Sequence, residues 1–300
     1  MVAKPTPYAH LILLARHRTF HFNGPPPADI RSAKYLESRV PDEAISAVLA
    51  YAQEGDFTRF SRLIDLIKGS DDGVVWGDCA MLYARAAPFS ALWDLINAFA
   101  QELYASDDVV TQQWISEILC SSGALWCVPE VLKIFRRNQE REKYFATPRY
   151  LSFLMEPERG EIADGPPVKP RTDNLPTWFD VPAVYDDDAY EDLVLSRYAA
   201  LCGQIDEPAR AAFSEGEPLT LTRVAEKALV RIFAGEDIEE IAIARTLLEA
   251  GTGQDLSEFY RDGLLQNLSA AAIVEDFLES GEAEKYEPGV RYFFGHRIPN

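Results

Sequence analysis

From Pro41 onward, apolar residues recur at the 3.6-residue period in short runs that stop at glycine. A chain patterned in this way has few options beyond packed short helices. The run PDEAISAVLAYAQEG opens with Pro41 at a first helical position and acids in the first turn, which suits the helix dipole. Ile45, Val48, Leu49 and Ala52 then line one face, and Gly55 closes the run. Phe57 to Lys68 repeats the pattern through Phe60, Leu63, Ile64 and Ile67 before Gly69. Two longer units follow, each opening on a tryptophan and ending on a phenylalanine: Trp76 to Phe99, then Trp114 to Phe135. Their offset of 38 residues is close to the roughly 40–47 of HEAT-type helical hairpins, which stack because one alone cannot bury its apolar face.

The expected fold is therefore all-α, of stacked HEAT-like helical hairpins, with two irregular parts. Leu11 to Phe22 alternates like a strand, with His17, Thr19 and His21 on one side, and ends at Asn23-Gly24-Pro25. One short strand there, or an extended arm lying on helices, is all the β-structure the pattern predicts. Residues 156–188 hold Pro166, Pro167, Pro170, Pro176 and Pro182, which exclude helix. The organisation reads as an arm plus hairpins over 1–155, a Pro-rich connection over 156–188 that packs Trp178 and its neighbours across the helices, and further hairpins over 189–300. These are expected to pack as one continuous unit. Helices are expected near 189–204, 219–235, 236–251, 255–265 and 268–280, with Tyr292, Phe293 and Phe294 of the tail docking back onto them. Trp76, Trp93, Trp114 and Trp126 fall at core positions.

Charge narrows the partner. Lys and Arg number 29 against 48 Asp and Glu, a net charge of −19. Residues 1–50 carry +2 of that balance and the remaining 250 carry −21. Such a surface repels phosphate backbones and anionic membranes, so neither nucleic acid nor membrane is an expected partner. Solubility is one reason for the charge; steering of a basic protein is the other. No run approaches the roughly 20 apolar residues of a membrane span, and the N-terminus lacks the features of a signal peptide. Cys79, Cys120, Cys127 and Cys202 follow no metal or redox spacing, so they read as small buried thiols of a cytoplasmic protein.

No catalytic motif is legible. Phosphate-cradling glycine loops and a nucleophile elbow are both missing from the sequence. His17 and His21 share a face on a strand or a helix, yet no third ligand is evident, and exposed strand residues are the default. The expectation is no enzyme, no cofactor and no metal. The acidic clusters remain. Tyr185, Asp186, Asp187, Asp188, Tyr190, Glu191 and Asp192 place five carboxylates and two tyrosines in eight residues. That mixture supplies both steering and contact area to an interface. Helix capping is the simpler reading of each acid alone, and it also covers Asp71-Asp72, Asp107-Asp108 and Glu236-Asp237. In a stack of hairpins such loops would line one acidic edge.

The closing segment YEPGVRYFFGHRIP, Tyr286 to Pro299, is similar to the end of a group called immunity protein 47. The acidic, helical, motif-free chain as a whole resembles the immunity proteins of bacterial polymorphic-toxin systems. The resemblance implies neutralisation of a cognate toxin, commonly a basic nuclease, by tight binding. A helical-repeat adaptor is the principal alternative, and an enzyme whose site forms only in three dimensions is the third. Oligomeric state is not legible.

Overall fold

The computed structural model describes residues 16–22, 24–137, 146–157, 160–167, 186–235 and 239–299. The protein is mostly helical, at 62%, with 13 α-helices among the described residues. In chain order these are α1 (Ala33–Leu36), α2 (Pro41–Gln53), α3 (Ser61–Gly69), α4 (Gly73–Ala86), α5 (Phe89–Ala98), α6 (Ala100–Tyr104) and α7 (Val109–Ser121). There follow α8 (Val128–Arg137), α9 (Ala146–Met155), α10 (Asp187–Cys202), α11 (Leu221–Ala234), α12 (Glu239–Thr252) and α13 (Asn267–Glu279). Pro41 takes the first turn of α2 with Asp42 and Glu43 beside it, and the periodic apolar residues Leu63, Ile64 and Ile67 of α3 are buried. Trp76 and Trp114 lie against each other in the core, ring centres 6.1 Å apart. No described helix is long and apolar enough to cross a membrane.

The β-structure differs from expectation. Between residues 16 and 22 there is no strand: Arg16 and His17 are helical, and the chain then runs on without regular structure. Phe20 is buried there, edge-on to Phe293 at 5.4 Å, as an arm lying on the core would place it. Instead, three two-stranded antiparallel hairpins interrupt the C-terminal helices: β1 (Phe213–Ser214) with β2 (Glu217–Pro218), β3 (Tyr260–Arg261) with β4 (Leu264–Leu265), and β5 (Tyr292–Phe293) with β6 (His296–Arg297). The helix expected over 255–265 is thus a 3-10 turn followed by a hairpin.

All three hairpins share one construction. Their turns are Glu215-Gly216, Asp262-Gly263 and Phe294-Gly295, and every one of these six residues has φ between 51° and 77°. Two consecutive left-handed residues make the tight turn whose twist matches that of the paired strands. Two of these turns also close helix ends. The amides of Glu215 and Gly216 donate to the carbonyls of Phe153 and Leu154 at the end of α9, at 2.8 and 3.1 Å. Those of Phe294 and Gly295 donate to Ala250 and Gly251 at the end of α12, at 2.6 and 2.9 Å. The last carbonyls of a helix have no partner within it, so each turn supplies what its helix lacks.

Arginines do the same elsewhere. Arg291 is buried and donates to Ala87 and Ala84 at the end of α4, at 2.6 and 3.0 Å. Arg85, also buried, donates to the Ser121 carbonyl ending α7 and to Thr246 of α12 at 3.0 Å. Burial, and then the neighbouring Arg85, hold Arg291 below its ordinary range. The apolar interior divides into two clusters, one mostly between residues 44 and 202 and a smaller one between 212 and 283. The Arg85–Thr246 and Arg291–Ala84 bonds cross from one part of the chain to the other.

The four cysteines are free thiols, with Cys79, Cys120 and Cys127 buried; burial pushes the Cys79 and Cys120 thiols up and makes them poor nucleophiles. Trp93 departs from the expected core position. It is 44% exposed and stacks flat on Trp126, ring centres 4.4 Å apart. Of the Pro-rich connection, Pro170, Pro176, Trp178 and Pro182 lie outside the described residues.

Candidate functional site

The acidic segment predicted from sequence opens α10. Asp186 caps the helix, its carboxylate accepting from the Ala189 amide at 3.2 Å, while Asp187 and Asp188 occupy the first turn. There they complement the positive helix end. Arg136, in the last turn of α8, ties the segment down: it pairs with Asp188 at 3.3 Å and with Glu191. One arginine therefore pairs with two of the five carboxylates. Asp188 and Asp192 stay exposed.

Tyr190 is not a surface residue. It is 2% exposed, packs its ring 5.6 Å from Phe135, and donates its hydroxyl to the Ile162 carbonyl at 3.2 Å. Burial raises its phenol well above the usual value. Its place in the segment is that of an anchor for α10, so it cannot be the aromatic contact expected of it. Tyr185 lies outside the described residues. The structure thus brings Asp186, Asp187, Asp188, Glu191 and Asp192 together at one helix start.

Capping also explains two of the other acidic pairs. Asp72 accepts from the Val74 amide at 2.8 Å and caps α4; Asp108 accepts from the Thr111 amide at 3.1 Å and caps α7. Their neighbours Asp71 and Asp107 are exposed. Glu236 and Asp237 lie outside the described residues.

Two concavities merit a chemical reading. An internal cavity of about 70 Å³ sits where the two apolar clusters meet, bordered by Arg85, Glu117, Tyr150, Phe213 and Arg291. A water claims roughly 30 Å³ and ligand pockets run to several hundred, so this space suits buried water and not a substrate. A wider groove of about 900 Å³ runs past Glu161, Leu193 and Val230. Its cations are engaged: Lys227 and Arg231 both pair with Glu215, at 2.6 and 2.9 Å, and Arg197 donates to the Met155 carbonyl at 3.0 Å.

The two histidines read as sharing a strand face are separated by the fold. His17 belongs to a helical turn, and its imidazole borders Gly263. His21 instead lies with Glu249 and Asp255, two carboxylates more than 220 residues away. Sequence held one signal of that grouping, the i,i+4 spacing of Arg245 and Glu249 on α12. It marks an ion pair, yet not that the pair is buried or that His21 reaches it. Compared with known protein families, with curated proteins and with solved structures, the chain matches none.

Proposed function

We propose that this chain is a non-catalytic binding protein that neutralises a basic protein toxin by covering it with an acidic surface, as the immunity proteins it resembles do. The observation that carries the reading is the net charge of −19. A field of that sign accelerates encounter with a basic partner and orients it before contact. The start of α10 supplies the contact: Asp187, Asp188 and Asp192 face the partner. Arg136 pairs with Asp188 and Glu191 at the edge of this surface, a solvent-exposed contact that a basic partner can displace. Tyr190 contributes from below, by anchoring the helix.

The architecture we read behind this surface is a stack of repeated units. The units are the HEAT-like helical hairpins expected from the tryptophan-to-phenylalanine pattern, with three short β-hairpins set between or after the C-terminal helices. Stacked units give a rigid scaffold, and rigidity favours tight binding.

A second reading, the adaptor, has one observation in its favour. Val230, Phe233, Leu264 and Leu268 are 66–88% exposed, and Asn267 joins the start of α13 to the Ile232 carbonyl of α11 at 3.3 Å. An apolar surface of this kind suits a partner that docks by burial instead of by charge.

Affinity capture on the immobilised protein from the cells that produce it, with mass spectrometry of what is retained, separates the two. Neutralisation predicts one basic protein, lost when Asp187, Asp188 and Asp192 are changed together to Asn. Recovery that survives the triple variant and disappears with Phe233→Ser and Leu268→Ser would favour the adaptor.

A further inference from the structure

The N-terminal arm is fastened to α12 through a buried carboxylate. Glu249 is fully buried, and one of its oxygens accepts from the Phe20 amide at 2.9 Å and from the Thr19 hydroxyl. Its other oxygen meets Arg245 at 2.9 Å. Burial pushes Glu249 up and Arg245 down, and their mutual attraction opposes both shifts. Beside this pair sits the His21 imidazole, tilted against Phe294 with ring centres 5.1 Å apart. Its Nε2 is buried, makes no hydrogen bond, and lies 4.0 Å from the nearer Glu249 oxygen. Asp255, just beyond α12, brings a third donor: atoms of His21, Glu249 and Asp255 all fall within 4.8 Å of one another.

We infer that His21, Glu249 and Asp255 form a binding site for a divalent transition metal of the zinc class. An imidazole and two carboxylates are donors that zinc accepts, with one of the two carboxylate charges already offset by Arg245. Donors around tetrahedral zinc stand about 3.3 Å apart, so the ligands must close by an ångström or so. The His21 side chain is 27% exposed and can shift; Asp255 lies at the surface, with Oδ1 accepting from the Ser257 amide at 2.9 Å. Glu249 is the fixed member. Arg245 holds its Oε2, as the partners of metal-bound carboxylates commonly do, while Oε1, the oxygen facing His21, accepts from Phe20 and Thr19 and must give up the Thr19 hydroxyl to take an ion. A bound ion fastens the arm to the C-terminal helices and leaves a fourth position for water. The site is independent of the binding surface on α10.

The test uses the full chain, stripped with a chelator and desalted, then titrated with zinc chloride by calorimetry and heated with and without the ion. One zinc per chain is expected, with a rise in melting temperature that mass action requires of any ligand favouring the folded state. Cobalt in its place should give the visible bands of a four-coordinate site. His21→Ala and Asp255→Asn should each weaken binding by at least about tenfold and abolish the thermal rise, while His17→Ala leaves both unchanged. Glu249 is left intact because its loss would strand Arg245. No binding by the wild-type chain would overturn the inference, and so would undiminished binding by both variants.

Discussion

The two apolar clusters fill their interiors by opposite means. The larger one rests on bulky side chains, with Phe60, Tyr83, Trp114 and Tyr190 all under 2% exposed or close to it. The smaller is rich in alanine: Ala225, Ala228, Ala242 and Ala270 are completely buried between α11, α12 and α13. Small residues let helix axes approach, and each then contributes little apolar area, near 0.8 kcal/mol for every buried methylene it lacks. The connections differ too. In the first region the link after α2 is held by side chains, where Asp56 accepts from the Thr58 amide and hydroxyl at 2.9 and 2.6 Å. In the second, Asp255 holds the Ser257 amide in the same way at 2.9 Å, and backbone hairpins are added to such links, closing the end of α12 and, across the cluster boundary, that of α9.

This contrast can be broken by substitution. Trp114→Ala should cost the most, about 3–5 kcal/mol of unfolding free energy, read as a lower denaturant midpoint. Ala228→Leu should cost about 1–3 kcal/mol by overpacking; a neutral or stabilising result would mean that the alanine cluster is loosely filled. The hairpin turns offer a sharper comparison. Gly216 and Gly295 have φ of +74° and +77°, so a side chain is strained at either. A Cβ at Gly216 would stand 2.7 Å from the Met155 carbonyl oxygen, whereas at Gly295 it meets nothing within 4 Å. Gly295→Ala should therefore cost about 1 kcal/mol from conformation alone, and Gly216→Ala clearly more, both measured by chemical denaturation.

The smallest effect concerns pH. The Thr58 hydroxyl, opposed by partial burial and aided by the Thr58 amide and Arg59, holds the Asp56 carboxyl below its ordinary value of 3.8. A carboxyl lowered by folding stabilises the protein above its unfolded pKa, and that contribution is lost as pH falls through the folded one. Asp56→Asn should leave a stability profile that is slightly flatter below about pH 4 and otherwise unchanged.

The helices were legible because the period of Ile45, Val48, Leu49 and Ala52, and that of Leu63, Ile64 and Ile67, needs nothing from the rest of the chain. The hairpins were not. Strands of two residues are too short to show alternation, although Asp262-Gly263 is a favoured pair for this turn and Glu215-Gly216 has a similar form. Phe294-Gly295 hides further, since a phenylalanine rarely adopts positive φ; the fold holds it there through its bond to Ala250. At the candidate surface the acids were visible and their roles as caps were weighed, but Tyr190 was misplaced because carboxylates surround it in sequence. Only the positions of Phe135 and Ile162 show which way it points. His21, Glu249 and Asp255 could not be joined at all, because the arm's docking is a tertiary fact.

Steering by an acidic surface is the central claim, and the ionic-strength dependence of association tests it most directly. With the captured partner in hand, stopped-flow rates should fall steeply from low to high salt, and the Asp187, Asp188 and Asp192 triple variant should lose much of that slope. Association whose rate is the same at both salt concentrations would contradict the account, even if the complex itself proved tight.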